Sequence, residues 1–366
     1  MKRLFAILLS LCLLLSLCAC GQNEVAHNPA ENTTNTTTSQ TAPTTSKPAE
    51  STPPEDDAED TTPPEDNVED TTASEDEPGD PTDSITPILY KVTDADGNTA
   101  WLFGSIHVGE ESFYPLPDYV TSAYENSDAL AVEFDIVSFE EDVEAQTSAL
   151  MQFLYTDGTT ILDHIPEELY TKAVAILEEY GYYFSEMDYF CPALWSDLVD
   201  SALYENLDAD SELGLDVYFL NNAHETGKEI QNVESAEFQY GMMAGFSEEL
   251  QIILLESALH SYEHQDEGAQ SLAELMEIWA SGDEEALVNM LIEEPELTSD
   301  EEVVLYAEYN DAMMTQRNLA MADFAEDALA SGKEVFICVG AAHVVGPGAL
   351  VDLLTQRGYT VERVLP

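Results

Sequence analysis

Positively charged side chains are scarce in this chain. Its 366 residues include 10 Lys and Arg against 74 Asp and Glu, which gives a formal net charge of −64. A surface of this kind repels the phosphate backbone of DNA and RNA. We therefore expect no nucleic-acid partner.

Cysteine is also scarce, with five residues: Cys12, Cys18, Cys20, Cys191 and Cys338. The first three fall in the N-terminal apolar segment, so the other two could form at most one disulfide. A single pair is too few for a disulfide scaffold. Cys338 lies in the apolar run from Val335 to Val339, and we expect it to be a small buried hydrophobic residue. The cysteines indicate neither a metal site nor thiol catalysis.

The longest hydrophobic run, Leu4 to Ala19, follows two basic residues and is shorter than the about 20 apolar residues of a membrane span. It predicts a secretory signal peptide over residues 1–19. A leucine three positions before Cys20 and an alanine directly before it form a lipobox. We therefore predict a lipidated Cys20, anchored at the extracellular face of the cell membrane. Cys18 is the rival acceptor, but the bulky Leu17 precedes it. An ordinary cleaved signal with incidental cysteines is the alternative.

Large apolar residues are nearly absent from residues 20–85, which are rich in Thr, Pro, Asp, Glu, Ser and Asn. A decapeptide, STPPEDDAED at 51–60, recurs as TTPPEDNVED at 61–70 and in degraded form at 71–80. Such a segment cannot bury enough apolar surface to offset its ordering entropy. We predict a disordered acidic tether after the lipidated cysteine. A calcium-binding or adhesive role of the repeats is the alternative.

Residues 86–366 have a globular composition, with predicted strands near both ends and a helix-rich middle. The strands are predicted at 88–92, 99–105, 130–134, 334–339 and 359–364. Turn residues from Asp94 to Asn98 predict a hairpin between the first two. These patterns predict one α/β domain, a mixed central β-sheet flanked by helices. A large helical insertion separates its N- and C-terminal strand motifs.

Two segments repeat one pattern, an apolar strand followed by Gly-x-x-His. The first ends at Gly104 and His107, and the second at Gly340 and His343. Polar groups at the carboxyl ends of strands are a favoured position for function in α/β sheets. One such histidine alone would more simply cap a loop. Two make His107 and His343 candidate metal ligands.

Three further residues are candidates for catalysis. Glu133 ends a predicted buried strand, where an ionised carboxylate needs a cation or a hydrogen-bond donor. It is a candidate metal ligand or general base, or else a strand-end carboxylate turned to solvent. Glu234 ends another short predicted strand. Arg317 stands alone among many acids and suits an oxyanion, a substrate carboxylate or a structural ion pair.

The arrangement of these motifs resembles the TraB/PrgY/GumN family over roughly residues 88 to 366. In the Gly104-Ser-Ile-His107 motif, Ser105 stands where the family more commonly has threonine, and His107 is unaffected. The matching blocks occur in order: Gly104-Ser-Ile-His107, Val132-Glu133-Phe-Asp135, Gly214-Leu-Asp216, Val233-Glu234 to Gln239, Arg317-Asn318 and Gly340-Ala-Ala-His343 to Gly346.

The resemblance implies a metal-dependent hydrolase. Relatives of the family include the animal Tiki proteins, which are metal-dependent proteases with paired Gly-x-x-His motifs and a required glutamate. The erythromycin-esterase/ChaN-like fold is a more distant relative. Bacterial members linked to pheromone shutdown leave open peptide binding without cleavage. We expect His107, Glu133 and His343 to bind a divalent transition metal, Mn, Co, Fe or Zn. Glu133, Glu234 and Arg317 are the expected catalytic residues, and which glutamate is ligand and which is base stays open.

The expected substrate is an extracellular peptide or protein, because a surface location and the resemblance both point there. The membrane is a partner only through the lipid anchor. The rival hypothesis is a lipoprotein that sequesters a peptide or another ligand without turnover.

Overall fold

The computed structural model describes residues 85–207, 211–291 and 299–366. The predicted signal peptide, the predicted lipidation site Cys20 and nearly all of the predicted tether lie outside these residues. Among the described helices, none combines the length and the apolar character that crossing a bilayer requires.

One mixed sheet of six strands forms the centre of the fold. Its strands are β1 (Leu89–Thr93), β2 (Thr99–Ser105), β3 (Ala129–Val132), β4 (Glu229–Asn232), β5 (Val335–Gly340) and β6 (Thr360–Val364). The strand order is β4-β3-β5-β2-β1-β6. Neighbours from β4 to β2 pair in parallel, whereas β1 is antiparallel to both β2 and β6. The predicted α/β class and mixed sheet are confirmed.

The sequence of each strand explains its position. β5 is buried along its whole length between β3 and β2, as its continuous apolar run predicts. The predicted hairpin joins β1 to β2, and the carboxylate of Asp94 accepts hydrogen bonds from the backbone N–H groups of Asp96 and Asn98. Such side-chain bonds to nearby backbone groups stabilise tight turns.

Helices flank the sheet, and most come from the segment between β3 and β5. A π-helical turn at Asp311–Thr315 separates the helices Asp300–Asn310 and Gln316–Ser331, which otherwise follow one another without a break. The α-helices are α1 (Asp118–Asn126), α2 (Ile136–Glu141), α3 (Val143–Met151), α4 (Glu167–Glu179), α5 (Pro192–Asn206), α6 (Leu215–Thr226), α7 (Ala236–Ala244), α8 (Glu248–Glu263), α9 (Gln265–Ser281), α10 (Glu284–Leu291), α11 (Asp300–Asn310), α12 (Gln316–Ser331), α13 (Ala341–Val344) and α14 (Leu350–Gln356).

An aromatic cluster packs these helices onto the strands that lead to the histidine motifs. Phe103 of β2 packs against Phe219 of α6 and Phe336 of β5, with ring centroids 5.3 and 5.6 Å apart. Trp279 of α9 donates from Nε1 to the carbonyl oxygen of Gly104 at 2.8 Å. The carboxyl end of β2 is therefore fixed before the chain reaches His107.

Candidate functional site

The two Gly-x-x-His motifs meet because their strands are parallel neighbours. Ser105 at the end of β2 is paired with Gly340 at the end of β5. Parallel strands deliver their carboxyl ends to one edge of the sheet, where sites in α/β proteins form. His107 and His343, 236 positions apart in the chain, therefore lie together.

The carboxylate of Asp216, on α6, contacts the His107 ring at Nδ1. This nitrogen lies 2.7 Å from Oδ2 of Asp216, and Oδ1 of Asp216 accepts a hydrogen bond from the hydroxyl of Ser105 at 2.7 Å. The Sγ of Cys338 lies 3.8 Å from the same oxygen. Cys338 is buried and unpaired with another cysteine, as expected, but it also borders this network.

The N-terminus of α6 is docked tightly against the His107 loop. The backbone N–H of Leu215 donates to the carbonyl oxygen of Ile106 at 3.1 Å. A Cβ at Gly214 would overlap the carbonyl oxygen of His107, so only glycine permits this approach. The contact places Asp216 on the first turn of α6, beside the imidazole.

His343 lies on the short helix α13 and has a neutral partner. Its Nδ1 lies 2.6 Å from Oδ1 of Asn318, and the side-chain N–H of Asn318 donates to the carbonyl oxygen of Gly348 at 3.0 Å. Burial and the nearby Arg317 guanidinium lower the pKa of His343 to about 3, although Glu133 opposes them. This pKa favours the neutral form of His343 at physiological pH.

The pKa of His107 shifts in the opposite direction. Burial alone would lower it, but the carboxylates of Asp216 and Glu133 outweigh burial and raise the pKa to about 9. The two imidazoles of one site thus differ in charge, because one is hydrogen-bonded to a carboxylate and the other to an amide.

Glu133 directly follows β3 and is buried beside the histidines. Its Oε1 accepts from the backbone N–H of Gly340 at 3.1 Å. Its Oε2 accepts from Arg317 Nη2 at 2.6 Å and from Gln239 Nε2 at 3.0 Å. Burial would raise the pKa of this carboxyl, but Arg317 and both histidines hold it well below its usual range. Glu133 is therefore ionised.

Glu234 stands beside Glu133 because β3 and β4 run in parallel, and its backbone N–H donates to the carbonyl oxygen of Glu133 at 2.8 Å. Arg317 binds Glu234 through Nε at 2.9 Å and Nη2 at 2.8 Å. Gln239 Nε2 donates to the same carboxylate at 2.8 Å. Two acids, one guanidinium and one amide thus form a closed buried cluster.

The π-helical turn at Asp311–Thr315 ends two positions before this arginine. Arg317 Nη1 donates to the carbonyl oxygen of Met313 within that turn, at 3.5 Å. Arg317 and Asn318 are consecutive on α12, yet the first binds the two glutamates and the second binds His343. π turns inside helices often mark functional sites.

The predicted residues converge on Gly340, which lacks a side chain. A Cβ built there would lie 3.5 Å from Glu133 Oε1, 3.6 Å from His107 Nε2 and 3.7 Å from His343 Cδ2. The Arg317 and Glu234 side chains lie directly behind Glu133. The structure thus brings all five predicted site residues into one buried region.

Three contributors were not assigned a role from sequence. Asp216, Asn318 and Gln239 lie within the motif blocks, but each is a polar residue on a helix with no local pattern that indicates its partner. The remaining described histidines lie in other contacts: His164 pairs with Glu248, His224 with Asp135, and His260 with the ring of His264.

The histidine and carboxylate groups of the site do not form a metal coordination shell in their present positions. Within residues 85–207, 211–291 and 299–366, no three His, Cys, Asp or Glu side chains are close enough together to hold a metal ion as they stand. Binding an ion would require the three groups around Gly340 to move toward one another.

Comparison with known proteins identifies the family to which the chain belongs. The model of the TraB/PrgY/gumN family matches residues 88–363, and the chain belongs to that family. The curated relatives it matches include proteins named YbaP from Escherichia coli K12 and Shigella flexneri, both described as uncharacterized. Each is 29% identical over 255 residues, which cover 69% of this chain and 86% of the relative. No solved structure matches the chain.

Proposed function

We propose that this protein is a metal-dependent hydrolase that cleaves extracellular peptides or proteins at the His107–Glu133–His343 site. The charge balance of the buried site carries the proposal. Glu133 and Glu234 share the Arg317 guanidinium, and a third carboxylate, Asp216, pairs with His107. With His107 protonated, as its raised pKa indicates, one negative charge remains uncompensated, and a second appears when His107 loses the Nε2 proton to serve as a ligand. Buried charge is costly unless it is paired, and one divalent cation would balance the site.

The chemistry of the donor groups fits such an ion. Nδ1 of each histidine is engaged by Asp216 or Asn318, so Nε2 is the nitrogen available as a ligand. Glu133 keeps Oε1 on the side of Gly340, and the missing side chain there leaves room among the three donors. Mixed imidazole and carboxylate ligation suits Mn, Co, Fe or Zn.

The bound ion would polarise the scissile carbonyl and lower the pKa of an attacking water. Glu133 is the carboxylate best situated to bind the ion or accept a proton, because Oε1 faces Gly340. Both oxygens of Glu234 are bound by Arg317 and Gln239, so its role in the proposal is to balance Arg317. Arg317 is fully buried and keeps Glu133 ionised rather than reaching the substrate.

The first test is the metal content of the purified protein. We expect near-stoichiometric transition metal in the wild type and its loss in folded His107→Ala and His343→Ala variants. His264→Ala is the matched control, because it removes a surface histidine with a neighbouring imidazole and should leave the metal content unchanged. Absence of metal in the wild type, even after refilling with Mn, Co and Zn, would reject the proposal.

Hydrolysis is tested separately from binding. A broad peptide pool is incubated with the metal-loaded protein, and cleavage is followed by mass spectrometry. Glu133→Gln should abolish cleavage while peptide capture persists, if Glu133 is the base. Capture by the wild type without cleavage would instead favour a sequestering lipoprotein.

The surface location is part of the proposal and rests on residues 1–20. Cys20→Ala should release the protein from the membrane fraction and abolish its labelling by a radioactive fatty acid. A Cys18→Ala variant controls for the rival acceptor. Unchanged labelling of Cys20→Ala would contradict lipidation at this residue.

A further inference from the structure

The position of the proton on the His343 ring decides whether its Nε2 can bind a cation. A neutral imidazole carries one proton, on Nδ1 or on Nε2, and the hydrogen bond at one nitrogen selects which. The partner of His343 Nδ1 is Oδ1 of Asn318, at 2.6 Å. If that oxygen is an acceptor, Nδ1 must carry the proton.

A second contact fixes the orientation of the Asn318 amide. Its Nδ2 lies 3.0 Å from the carbonyl oxygen of Gly348, which can only accept a hydrogen bond. Flipping the amide would set two oxygens against each other at Gly348 and would turn an NH2 group toward His343. The Gly348 turn is itself held, because its N–H donates to Asp352 Oδ2 at 2.8 Å. The acceptor face of Asn318 is therefore turned to the imidazole.

We propose that Asn318 is a positioning residue that holds His343 as the Nδ1–H tautomer and leaves Nε2 with a free electron pair. The tautomer follows from the hydrogen bonds of the protein alone. Only the use of Nε2 as a metal ligand rests on the proposed function. Asn318 is buried, so water does not compete for the contact.

The direct test is ¹⁵N NMR of the histidine rings in the full-length protein after removal of metal by EDTA. We expect the signature of a protonated Nδ1 and an unprotonated Nε2 for His343, whose resonances are identified by their loss in His343→Gln. Asn318→Ala removes the acceptor and should raise the population with the proton on Nε2. Asn318→Asp keeps an acceptor toward Nδ1, although its second oxygen would face the Gly348 carbonyl, and should retain the proton on Nδ1. Asn221→Ala, at an exposed asparagine of α6, is the matched control.

Three results would overturn the proposal. They are a wild-type His343 with the proton on Nε2, a ring protonated on both nitrogens at neutral pH, and an unchanged tautomer in folded Asn318→Ala. If Asn318→Ala does not fold, the wild-type spectrum and Asn318→Asp still decide the question.

A metal titration then separates this inference from the proposed function. Followed by Co²⁺ absorption, Asn318→Ala should bind about 10- to 100-fold more weakly than the wild type, as is common when the partner of a ligating histidine is removed. Asn318→Asp should stay close to the wild type. If the wild type binds no Co²⁺, the metal proposal fails while the NMR result stands. Equal affinity in wild type and Asn318→Ala would reject the positioning role.

Discussion

At the scale of single residues, Arg317 is the group on which the buried charges of the site depend. Its side chain is 0% exposed, and its planar fork contacts two carboxylates at once. A lysine offers one point charge and cannot reproduce two directed hydrogen bonds. Gln239 adds a neutral donor to the same two carboxylates. Removing the guanidinium would leave both acids buried with only that amide between them.

We predict that Arg317→Ala lowers the free energy of unfolding by about 3–5 kcal/mol, the usual cost of removing one partner from a buried ion pair. Arg317→Lys should lose less, because a positive charge remains. Urea denaturation monitored by circular dichroism measures both. Arg357→Ala is the control: Arg357 pairs near the surface with Asp323 and Glu326, and its loss should cost under about 1 kcal/mol.

A second substitution distinguishes charge from packing. If unpaired charge causes the loss, Glu234→Gln should be less damaging in the Arg317→Ala background than in the wild type, since it removes one buried negative charge. Additive effects of the two substitutions would show that lost packing, not unpaired charge, sets the cost.

Gly340 provides a test of the site that spares the fold. Its φ is −49°, and an added Cβ would meet its neighbours at 3.5 Å or more, an ordinary contact distance. We predict that Gly340→Ala changes the free energy of unfolding by under about 1 kcal/mol. The methyl group would fill the space among the three donor side chains, so Co²⁺ affinity should fall at least tenfold.

Gly268→Ala is the matched control for Gly340→Ala. It adds the same methyl group on α9, where the nearest atoms lie 3.9 Å away, and should leave Co²⁺ affinity unchanged. Unchanged affinity in Gly340→Ala would mean that the ion does not bind at this point.

At the scale of secondary-structure elements, the sequence predicts the strands of the site better than the contacts made by the helices beside them. The apolar runs before Gly104 and Gly340 identify β2 and β5, and their shared pattern singles out His107 and His343. The strand order of the sheet brings the two histidines together. This order could not be predicted, because pairing between strands more than 200 residues apart produces no local sequence pattern. Glu133 was recognised because a carboxylate at the end of an apolar strand is unusual.

Partners on helices could not be predicted from local sequence. Asp216 lies on α6 and Asn318 on α12, and polar residues at such positions usually face solvent. Their tertiary contacts decide otherwise. Arg317 stood out only because arginine is scarce in this chain. The π turn before it was missed, since its residues have ordinary helical propensity.

Helix α5 is buried along most of its length, yet it contains a titratable side chain. Every residue from Pro192 to Tyr204 is buried, including Asp200, and the helix packs against α8. Burial raises the pKa of Asp200 to about 8. The folded protein thus retains a proton that the unfolded chain loses near pH 4. Stability contributed by this proton is full below pH 4 and is lost as the pH rises toward 8.

We predict that Asp200→Asn raises the free energy of unfolding by several kcal/mol at pH 8.5 and by little at pH 4. Each unit of pKa difference corresponds to about 1.4 kcal/mol. Urea titrations across this range measure the effect, with the exposed Asp96→Asn as control. Parallel pH profiles for Asp200→Asn and wild type would show that Asp200 is ionised in the folded state.

At the scale of the whole molecule, repulsion among acids is the dominant long-range force. The chain has 74 acidic residues and 10 basic ones. Several of the few cations already have local partners, such as Lys172 with Glu263 and Lys333 with Glu229. Exposed pairs of this kind contribute little. With 74 acids and 10 basic residues, most carboxylates cannot have a basic partner, and folding concentrates that charge in a smaller volume.

We predict that the free energy of unfolding rises as NaCl increases from 10 to about 300 mM, because the Debye length shortens from about 30 Å to under 10 Å. Urea is the denaturant, since guanidinium is itself a salt, and EDTA is present to chelate any divalent ion. Choline chloride should give the same rise, because screening depends on ionic strength and not on sodium binding. A fall in stability with salt would mean that favourable exposed ion pairs, such as Lys172–Glu263 and Lys333–Glu229, outweigh the repulsion of the whole surface.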